Sequence, residues 1–124
     1  MIVGDGELRA DIERQIARLD LGDRVTLTGW ITETASVYAD LDVLAISSVN
    51  EGTPVTVIES LTAGVPVVAT AVGGLPDLLE GGALGALVPS GDAAALADAL
   101  IRSIQTPPTP EQIARAQRTM IDQY

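Results

Sequence analysis

Cysteine, histidine, lysine and phenylalanine are absent from this sequence of 124 residues. Without cysteine or histidine, the chain cannot form a zinc site of the usual nitrogen and sulfur type, a cysteine nucleophile, a Ser-His-Asp triad or a disulfide framework. Apolar runs of about 18 residues, the length of a membrane span, are absent too. No basic segment precedes an apolar one at the N-terminus. We therefore expect no membrane span and a cytoplasmic protein.

Basic residues are scarce: seven arginines stand against 17 acidic residues, which gives a formal net charge of −10. This excess of acid argues against nucleic acid as a partner, because phosphate recognition needs clustered cations. Aromatic residues make up only 2% of the chain, whereas hydrophobic residues make up 47%. The composition indicates one globular domain built from aliphatic layers.

Short apolar segments alternate along the chain with segments of helical period. We predict five strands, at residues 1–3, 24–28, 42–46, 65–70 and 84–88. Helices are predicted at residues 7–19, 33–39, 53–63, 92–104 and 110–123, with N-caps at Thr32, Thr53, Asp92 and Thr109. Strands and helices that alternate at this spacing predict an α/β fold, an open parallel sheet with helices on both faces.

Three of the predicted strands end in segments rich in glycine and polar residues, at positions 4–6, 47–53 and 71–74. Ligands of open parallel sheets bind beyond the carboxyl ends of the strands. The second segment leads into a helix, whose N-terminus favours an anionic group. Gly52, Gly73 and Gly74 would allow close approach to the backbone, although each glycine could equally serve only a tight turn. We take these segments as candidate ligand-binding loops.

Two glutamates stand out in this region. Glu51 lies in the second segment, and Glu59 lies in the second turn of the following helix, which is apolar nearly all round. A carboxylate in such company needs hydrogen bonds, and the adjacent hydroxyls of a sugar could donate them. The spacing alone leaves a second interpretation equally open, in which Glu59 faces solvent and Glu51 merely complements the helix dipole.

A hydrolase with paired carboxylates is a rival interpretation of the same two residues. It would need one carboxyl as acid and the other as base or nucleophile. The aromatic residues that could form a platform for a sugar ring, Trp30 and Tyr38, come from a different loop. We therefore disfavour the hydrolase.

The pattern around these residues points to a family. Residues 39–74 begin with AD and continue as S-x-x-EG-x-P-x-x-x-IE-x-x-x-x-G-x-PVVAT-x-VGG. This stretch closely resembles retaining glycosyltransferases of family 4, the glycosyl transferases group 1, and Glu51 and Glu59 match the E-x7-E motif of that family. Further segments fall in the same order from Ile2 to Leu100, so the resemblance covers nearly the whole chain.

The resemblance implies that residues 1–124 form the C-terminal, donor-binding domain of a GT-B enzyme, without its N-terminal domain and first strand. It implies that Glu59 binds the ribose hydroxyls of a nucleoside diphosphate sugar, and that Glu51 contacts the donor sugar as the catalytic residue. The other donor-binding residues that it implies are Gly4, Trp30, Ile31, Asn50, Gly52 and Thr53. No metal or other cofactor is expected.

The chain also departs from the family pattern. Enzymes of this family use an arginine and a lysine against the donor diphosphate, whereas this chain has no lysine, and Arg9, Arg14, Arg18 and Arg24 belong to a surface helix and a strand start. Because charge stabilisation of the leaving group is a large part of such catalysis, we predict no meaningful transfer by this chain alone.

The missing first strand leaves a gap in the expected sheet. Either the strand at residues 1–3 pairs directly with the strand at 42–46, or an open inner edge favours a homodimer or a partner chain. Two alternatives to a donor-binding domain that is inactive alone remain: a subunit that works beside a separate N-terminal half, and a non-catalytic fragment or scaffold.

Overall fold

The computed structural model describes all 124 residues, and the chain divides into two compact units. The first unit comprises Met1–Thr34 and the second comprises Ala35–Tyr124. The longest helix of the chain, α6, has 14 residues, and no helix is both long and apolar enough to cross a membrane.

The N-terminal unit contains one helix, α1 (Arg9–Arg18). Arg9 forms ion pairs with Asp5 and Glu13 on the exposed side of this helix, at 3.8 and 2.9 Å. The segments on either side of α1 meet in two isolated bridges, a parallel one between Ile2 and Leu27 and an antiparallel one between Gly4 and Gly29.

The remaining elements alternate strand and helix as the sequence predicts. In chain order they are α2 (Thr34–Ala39), β1 (Leu44–Ile46), α3 (Val55–Thr62), β2 (Val67–Thr70), α4 (Leu75–Leu78), a 3-10 turn (Glu80–Gly82), β3 (Ala86–Val88), α5 (Ala93–Gln105) and α6 (Pro110–Gln123). The three strands form a parallel sheet in the order β1-β2-β3.

Strand β2 is the centre of the sheet, and all four of its residues are buried. Val67 and Ala69 face one core with residues of α3, α4 and α6, whereas Val68 faces a second core with Val88 and Ala99. A strand covered on both faces reads as a continuous apolar run rather than an alternating one. The predicted α/β architecture, with helices on both faces of a parallel sheet, is therefore confirmed.

The predicted number of about five strands is wrong, since the sheet has three. Residues 1–3 and 24–28 form single bridges instead of strands. Their segments meet only as a pair in the N-terminal unit, and two strands without a third beside them are marginal in water. Consistent with this, Gly4 and Gly29 adopt positive φ angles of 116° and 71°, which turn the backbone out of extended geometry.

Helix boundaries follow local signals closely, with two exceptions. Asp92 caps α5 through the N–H of Ala95, and Thr109 forms a reciprocal capping box with Gln112 at the start of α6. The predicted caps at Thr32 and Thr53 are wrong. Helix α2 begins at Thr34, so Thr32 lies one residue before its N-cap position. Pro54 occupies the N-cap position of α3 with extended backbone angles, so no side chain caps this helix.

Candidate functional site

The carboxyl ends of β1 and β2 carry two loops that lie against each other. We call them the β1 loop (residues 47–54) and the β2 loop (residues 71–74). At the end of β2, the buried hydroxyl of Thr70 donates a hydrogen bond to the carbonyl oxygen of Ser48 across 2.6 Å. The backbone N–H of Gly74 donates to the carbonyl oxygen of Gly52 at 3.1 Å. These two bonds fix the β1 loop to strand β2 and to the β2 loop.

The glycines of the β2 loop have a definite steric role. A Cβ atom on Gly73 would lie 1.6 Å from the carbonyl oxygen of Glu51, and one on Gly74 would lie 2.6 Å from that of Gly52. Gly73 also has a φ of 54°, a backbone angle that residues other than glycine rarely adopt. The close approach expected at these glycines is thus made by the protein's own backbone. At Gly52, by contrast, a Cβ would meet open space.

Glu51 is half-buried in the β1 loop, with one carboxylate oxygen engaged. The hydroxyl of Ser48 donates to Oε1 of Glu51 at 2.6 Å, a short distance typical of a hydroxyl bonded to a charged oxygen. Because Thr70 holds the backbone of Ser48, the orientation of the Glu51 carboxylate depends on the end of β2. An ionised carboxylate accepts several hydrogen bonds, so Glu51 keeps capacity for hydroxyl donors of a ligand.

Glu59 is half-buried in the second turn of α3, where its carboxylate meets a tyrosine. The hydroxyl of Tyr38 donates to Oε2 of Glu59 at 2.9 Å and lies 3.3 Å from the carbonyl oxygen of Thr56. Burial, followed by the hydrogen bond to Glu59 and its negative charge, raises the pKa of Tyr38 to about 12. The phenol therefore stays a neutral donor at physiological pH.

This contact corrects one expectation. The sequence separates Tyr38 from the two glutamates, but α2 brings its hydroxyl into direct contact with Glu59. Only 7% of Tyr38 is exposed, so its ring is not an accessible platform for a sugar. Glu59 is also not a simple solvent-facing residue, because a buried side chain holds one of its oxygens.

The first turn of α3 faces the end of the β1 loop and offers free backbone donors. Pro54 has no N–H, and Val57 donates to the carbonyl of Pro54, so Val55 and Thr56 carry the first N–H groups available to an anion. Asn50, Gly52 and Thr53, which precede the helix, are exposed. The β1 and β2 loops contain no arginine, and no cluster of three or more acidic side chains could hold a metal ion.

Three of the residues singled out in the sequence lie in the N-terminal unit. The side chain of Trp30 is 83% exposed, and Ile31 is half-buried. Gly4 has a φ of 116° and donates its N–H to the carbonyl oxygen of Gly29 at 2.8 Å. Their expected roles toward a ligand stay predictions.

A cavity of about 620 Å³ lies elsewhere, at the amino ends of β2 and β3. It is lined mainly by aliphatic residues, together with Arg102 of α5 and Gln112 of α6. Neither glutamate and none of the loop residues described above lines it. Because ligands of open parallel sheets bind at the opposite, carboxyl end, we assign the candidate site to the β1 and β2 loops.

Sequence reasoning missed three residues of this site: Tyr38, Ser48 and Thr70. Tyr38 and Thr70 act through hydrogen bonds to distant parts of the chain. Ser48 bonds Glu51 three residues further along the same loop, within the S-x-x-E pattern of the sequence. One signal was available for Tyr38, because a glutamate in an apolar helix needs a donor.

Comparison with known proteins gives a consistent result. The family described as glycosyl transferases group 1 matches residues 1–106. The 2-deoxystreptamine glucosyltransferase of Streptomyces kanamyceticus is 34% identical over 127 aligned positions, which cover 100% of this chain and 33% of that protein. The chain thus spans about a third of the length of this curated relative.

Solved structures agree with the sequence relatives. HepE of Anabaena, in complex with UDP-glucose, superimposes with a TM-score of 0.90 at 30% identity, covering 98% of this chain and 35% of that one. Sucrose-phosphate synthase of Thermosynechococcus elongatus gives a TM-score of 0.83 at 32% identity, with 97% and 32% covered.

Proposed function

The chain belongs to the glycosyl transferases group 1 family and has the α/β fold of a GT-B domain, and on this premise we propose that it binds the nucleoside diphosphate sugar of a retaining sugar transfer. The observation that carries the proposal is a pair of carboxylates, Glu51 and Glu59, each bonded by a buried or half-buried hydroxyl at the carboxyl edge of the sheet. Such an arrangement suits the hydroxyl groups of a ligand, which donate to fixed carboxylates.

In this proposal each glutamate binds a different part of the donor. Glu59 accepts hydrogen bonds from the ribose hydroxyls, and Glu51 accepts them from the hydroxyls of the donor sugar. Asn50, Gly52 and Thr53 border the sugar and diphosphate. The resemblance extends this donor-binding set to Trp30, Ile31 and Gly4. The UDP-glucose complex of HepE, which is 30% identical to this chain, supports a nucleoside diphosphate sugar as the ligand class.

The reaction that such a domain serves breaks the bond between the anomeric carbon and the diphosphate oxygen. The diphosphate leaves with the electron pair, the oxygen of the acceptor hydroxyl forms the new bond to the anomeric carbon, and its proton passes to the departing diphosphate. Negative charge therefore grows on the leaving group. Residues 47–57 contain no cationic side chain, so uncharged donors and the partial charge of the α3 N-terminus meet that charge.

We infer that the bound donor is not turned over at a meaningful rate by residues 1–124 alone, because a full cation near the leaving diphosphate contributes much of the rate in such chemistry. The acceptor and the missing cations would be supplied from outside these residues. A partner chain with an N-terminal domain and a second copy of this chain are the two arrangements that we propose to test by co-purification.

Isothermal titration calorimetry with UDP-glucose and a GDP-sugar tests donor binding. We expect binding by the wild type and a loss of about 10-fold or more in Glu59→Ala, since the removed group makes charged hydrogen bonds. Asp98→Ala is the matched control, because Asp98 is an exposed carboxylate on α5. Absence of binding at millimolar ligand would contradict the proposal and favour the non-catalytic fragment or scaffold. Appreciable transfer by the purified chain would contradict the inferred inactivity.

A further inference from the structure

The buried phenol of Tyr38 connects two helices through the carboxylate of Glu59. Tyr38 lies near the end of α2 and is 7% exposed, and Glu59 lies 21 positions further along, in α3. No buried polar side-chain atom in the structure lacks a hydrogen-bond partner. The hydroxyl is thus held in place by both packing and hydrogen bonding.

The hydroxyl has one proton and two acceptors within reach. Oε2 of Glu59 is 2.9 Å away and the carbonyl oxygen of Thr56 is 3.3 Å away. The carboxylate is both nearer and charged, and charged acceptors form the stronger hydrogen bond. The proton therefore points to Glu59, and the resulting bond orients that side chain.

From this geometry we propose that Tyr38 is a positioning residue, which holds the Glu59 carboxylate in the orientation that receives the 2′- and 3′-hydroxyls of a ribose. The inference rests on the proposed function of Glu59. A glutamate has several rotatable bonds, and fixing them on ligand binding costs conformational entropy. Because Tyr38 fixes them beforehand, the ribose meets a carboxylate that is already oriented.

The role has a specific consequence for ligand discrimination. A carboxylate that is held in place to accept from two adjacent hydroxyls loses a hydrogen bond when the 2′-hydroxyl is absent. One carboxylate oxygen then has no donor. A carboxylate that moves freely can turn to the remaining hydroxyl. Loss of the Tyr38 hydroxyl should therefore weaken the binding of ribonucleotides more than the binding of 2′-deoxynucleotides.

The test compares Tyr38→Phe, which removes only the phenolic oxygen, with Tyr124→Phe, the same change at the exposed second tyrosine. The probes are UDP, GDP and their 2′-deoxy counterparts, titrated by calorimetry into the 124-residue chain. We expect Tyr38→Phe to lower the affinity for the ribonucleotide by roughly 3- to 10-fold relative to the wild type. The affinity for the 2′-deoxy counterpart should change little, so the ratio of the ribonucleotide affinity to the deoxynucleotide affinity falls. Tyr124→Phe should leave both affinities unchanged.

Two outcomes overturn the inference while leaving the proposed function intact. One is an unchanged affinity for the ribonucleotide in Tyr38→Phe. The other is an equal loss of affinity for the ribonucleotide and its 2′-deoxy counterpart, which would indicate a structural role only. Failure of the wild type to bind any of the four probes overturns the proposed function, and this inference falls with it.

A second measurement applies if the Tyr38→Phe variant does not fold. In a crystal structure of the wild type with the bound ribonucleotide, the proposal requires one Glu59 carboxylate to contact both the ribose and the Tyr38 hydroxyl. A Glu59 side chain that leaves Tyr38 when it contacts the ribose would contradict the positioning role.

Discussion

The hydroxyl oxygen of Tyr38 lies 2.9 Å from Oε2 of Glu59, so one hydrogen bond joins the end of α2 to the second turn of α3. This bond places a neutral donor beside a carboxylate in a partly apolar environment. It also makes the pKa of Tyr38 depend in part on the negative charge of Glu59.

The first prediction concerns the titration of Tyr38. Burial is the larger cause of its raised pKa of about 12, and Glu59 adds to it. In a Tyr124→Phe background Tyr38 is the only tyrosine, and we expect tyrosinate absorbance to appear with a midpoint near pH 12. Glu59→Gln should lower this midpoint toward 10.0 without reaching it, because burial remains. A midpoint that does not respond to Glu59→Gln would contradict the contact.

The same shift predicts how stability depends on pH. The folded pKa lies above the ordinary value of 10.0, so the folded state holds its proton more tightly than the unfolded state. The contribution of Tyr38 to the free energy of unfolding is fully present below about pH 10 and is lost as the pH rises through about 12. Denaturant unfolding at several pH values, with Tyr38→Phe as the reference, measures this loss.

A second prediction concerns Ser48, whose hydroxyl fixes Glu51. If Glu51 contacts the donor sugar, Ser48→Ala should weaken binding of UDP-glucose by about 3- to 10-fold relative to UDP, which lacks the sugar. Ser47→Ala is the control, because Ser47 is exposed and precedes Ser48 in the β1 loop. Calorimetry with both ligands measures the ratio of affinities. Equal weakening of UDP and UDP-glucose would show that Ser48 acts on the loop as a whole.

A third prediction separates steric overlap from backbone strain. Gly73→Ala introduces a Cβ that would lie 1.6 Å from the carbonyl oxygen of Glu51, whereas Gly81→Ala, at a similar φ of 63°, meets nothing within 4 Å. We expect Gly81→Ala to cost about 1 kcal/mol of unfolding free energy through strain alone. Gly73→Ala should cost about 3 kcal/mol or more. Similar costs in denaturant unfolding would contradict the interpretation of Gly73.

A fourth prediction concerns the start of α6. Thr109 accepts a hydrogen bond from the N–H of Gln112, and the side chain of Gln112 accepts one from the N–H of Thr109. Thr109→Ala should therefore lower the free energy of unfolding by about 1 kcal/mol. Thr106→Ala is the control, because Thr106 is exposed and follows α5 without capping a helix N-terminus. A loss as large in Thr106→Ala would contradict the capping role.

The sequence predicts those elements whose signals are local. Residues 110–123 are predicted and observed as a helix, since Thr109, Pro110 and the apolar period lie within a few positions of each other. Strand β2 is recognised by its continuous apolar run. The segments around Ile2 and Leu27 also predict strands, but whether they become strands depends on neighbours that the segments themselves do not encode.

The candidate site divides in the same way. Glu51 and Glu59 are identified from spacing and resemblance, because both lie within one loop and the helix that follows. Tyr38 and Thr70 are not, because their partners are set by how α2 and β2 pack against that helix and loop. Ser48 lies within the loop itself, but its bond to Glu51 depends on the shape of the loop rather than on residue type. Thr53 fails as a predicted cap for a related reason: the loop ends one residue later, at Pro54.

The interlocked β1 and β2 loops have a consequence for the speed of ligand association. Gly73 packs closely against Glu51, and the β1 loop can swing outward only by breaking the hydrogen bonds from Gly74 to Gly52 and from Thr70 to Ser48. A ligand therefore meets a surface that is assembled before it arrives. We expect association to follow a single bimolecular phase, whose rate rises linearly with ligand concentration and reaches no plateau set by loop opening.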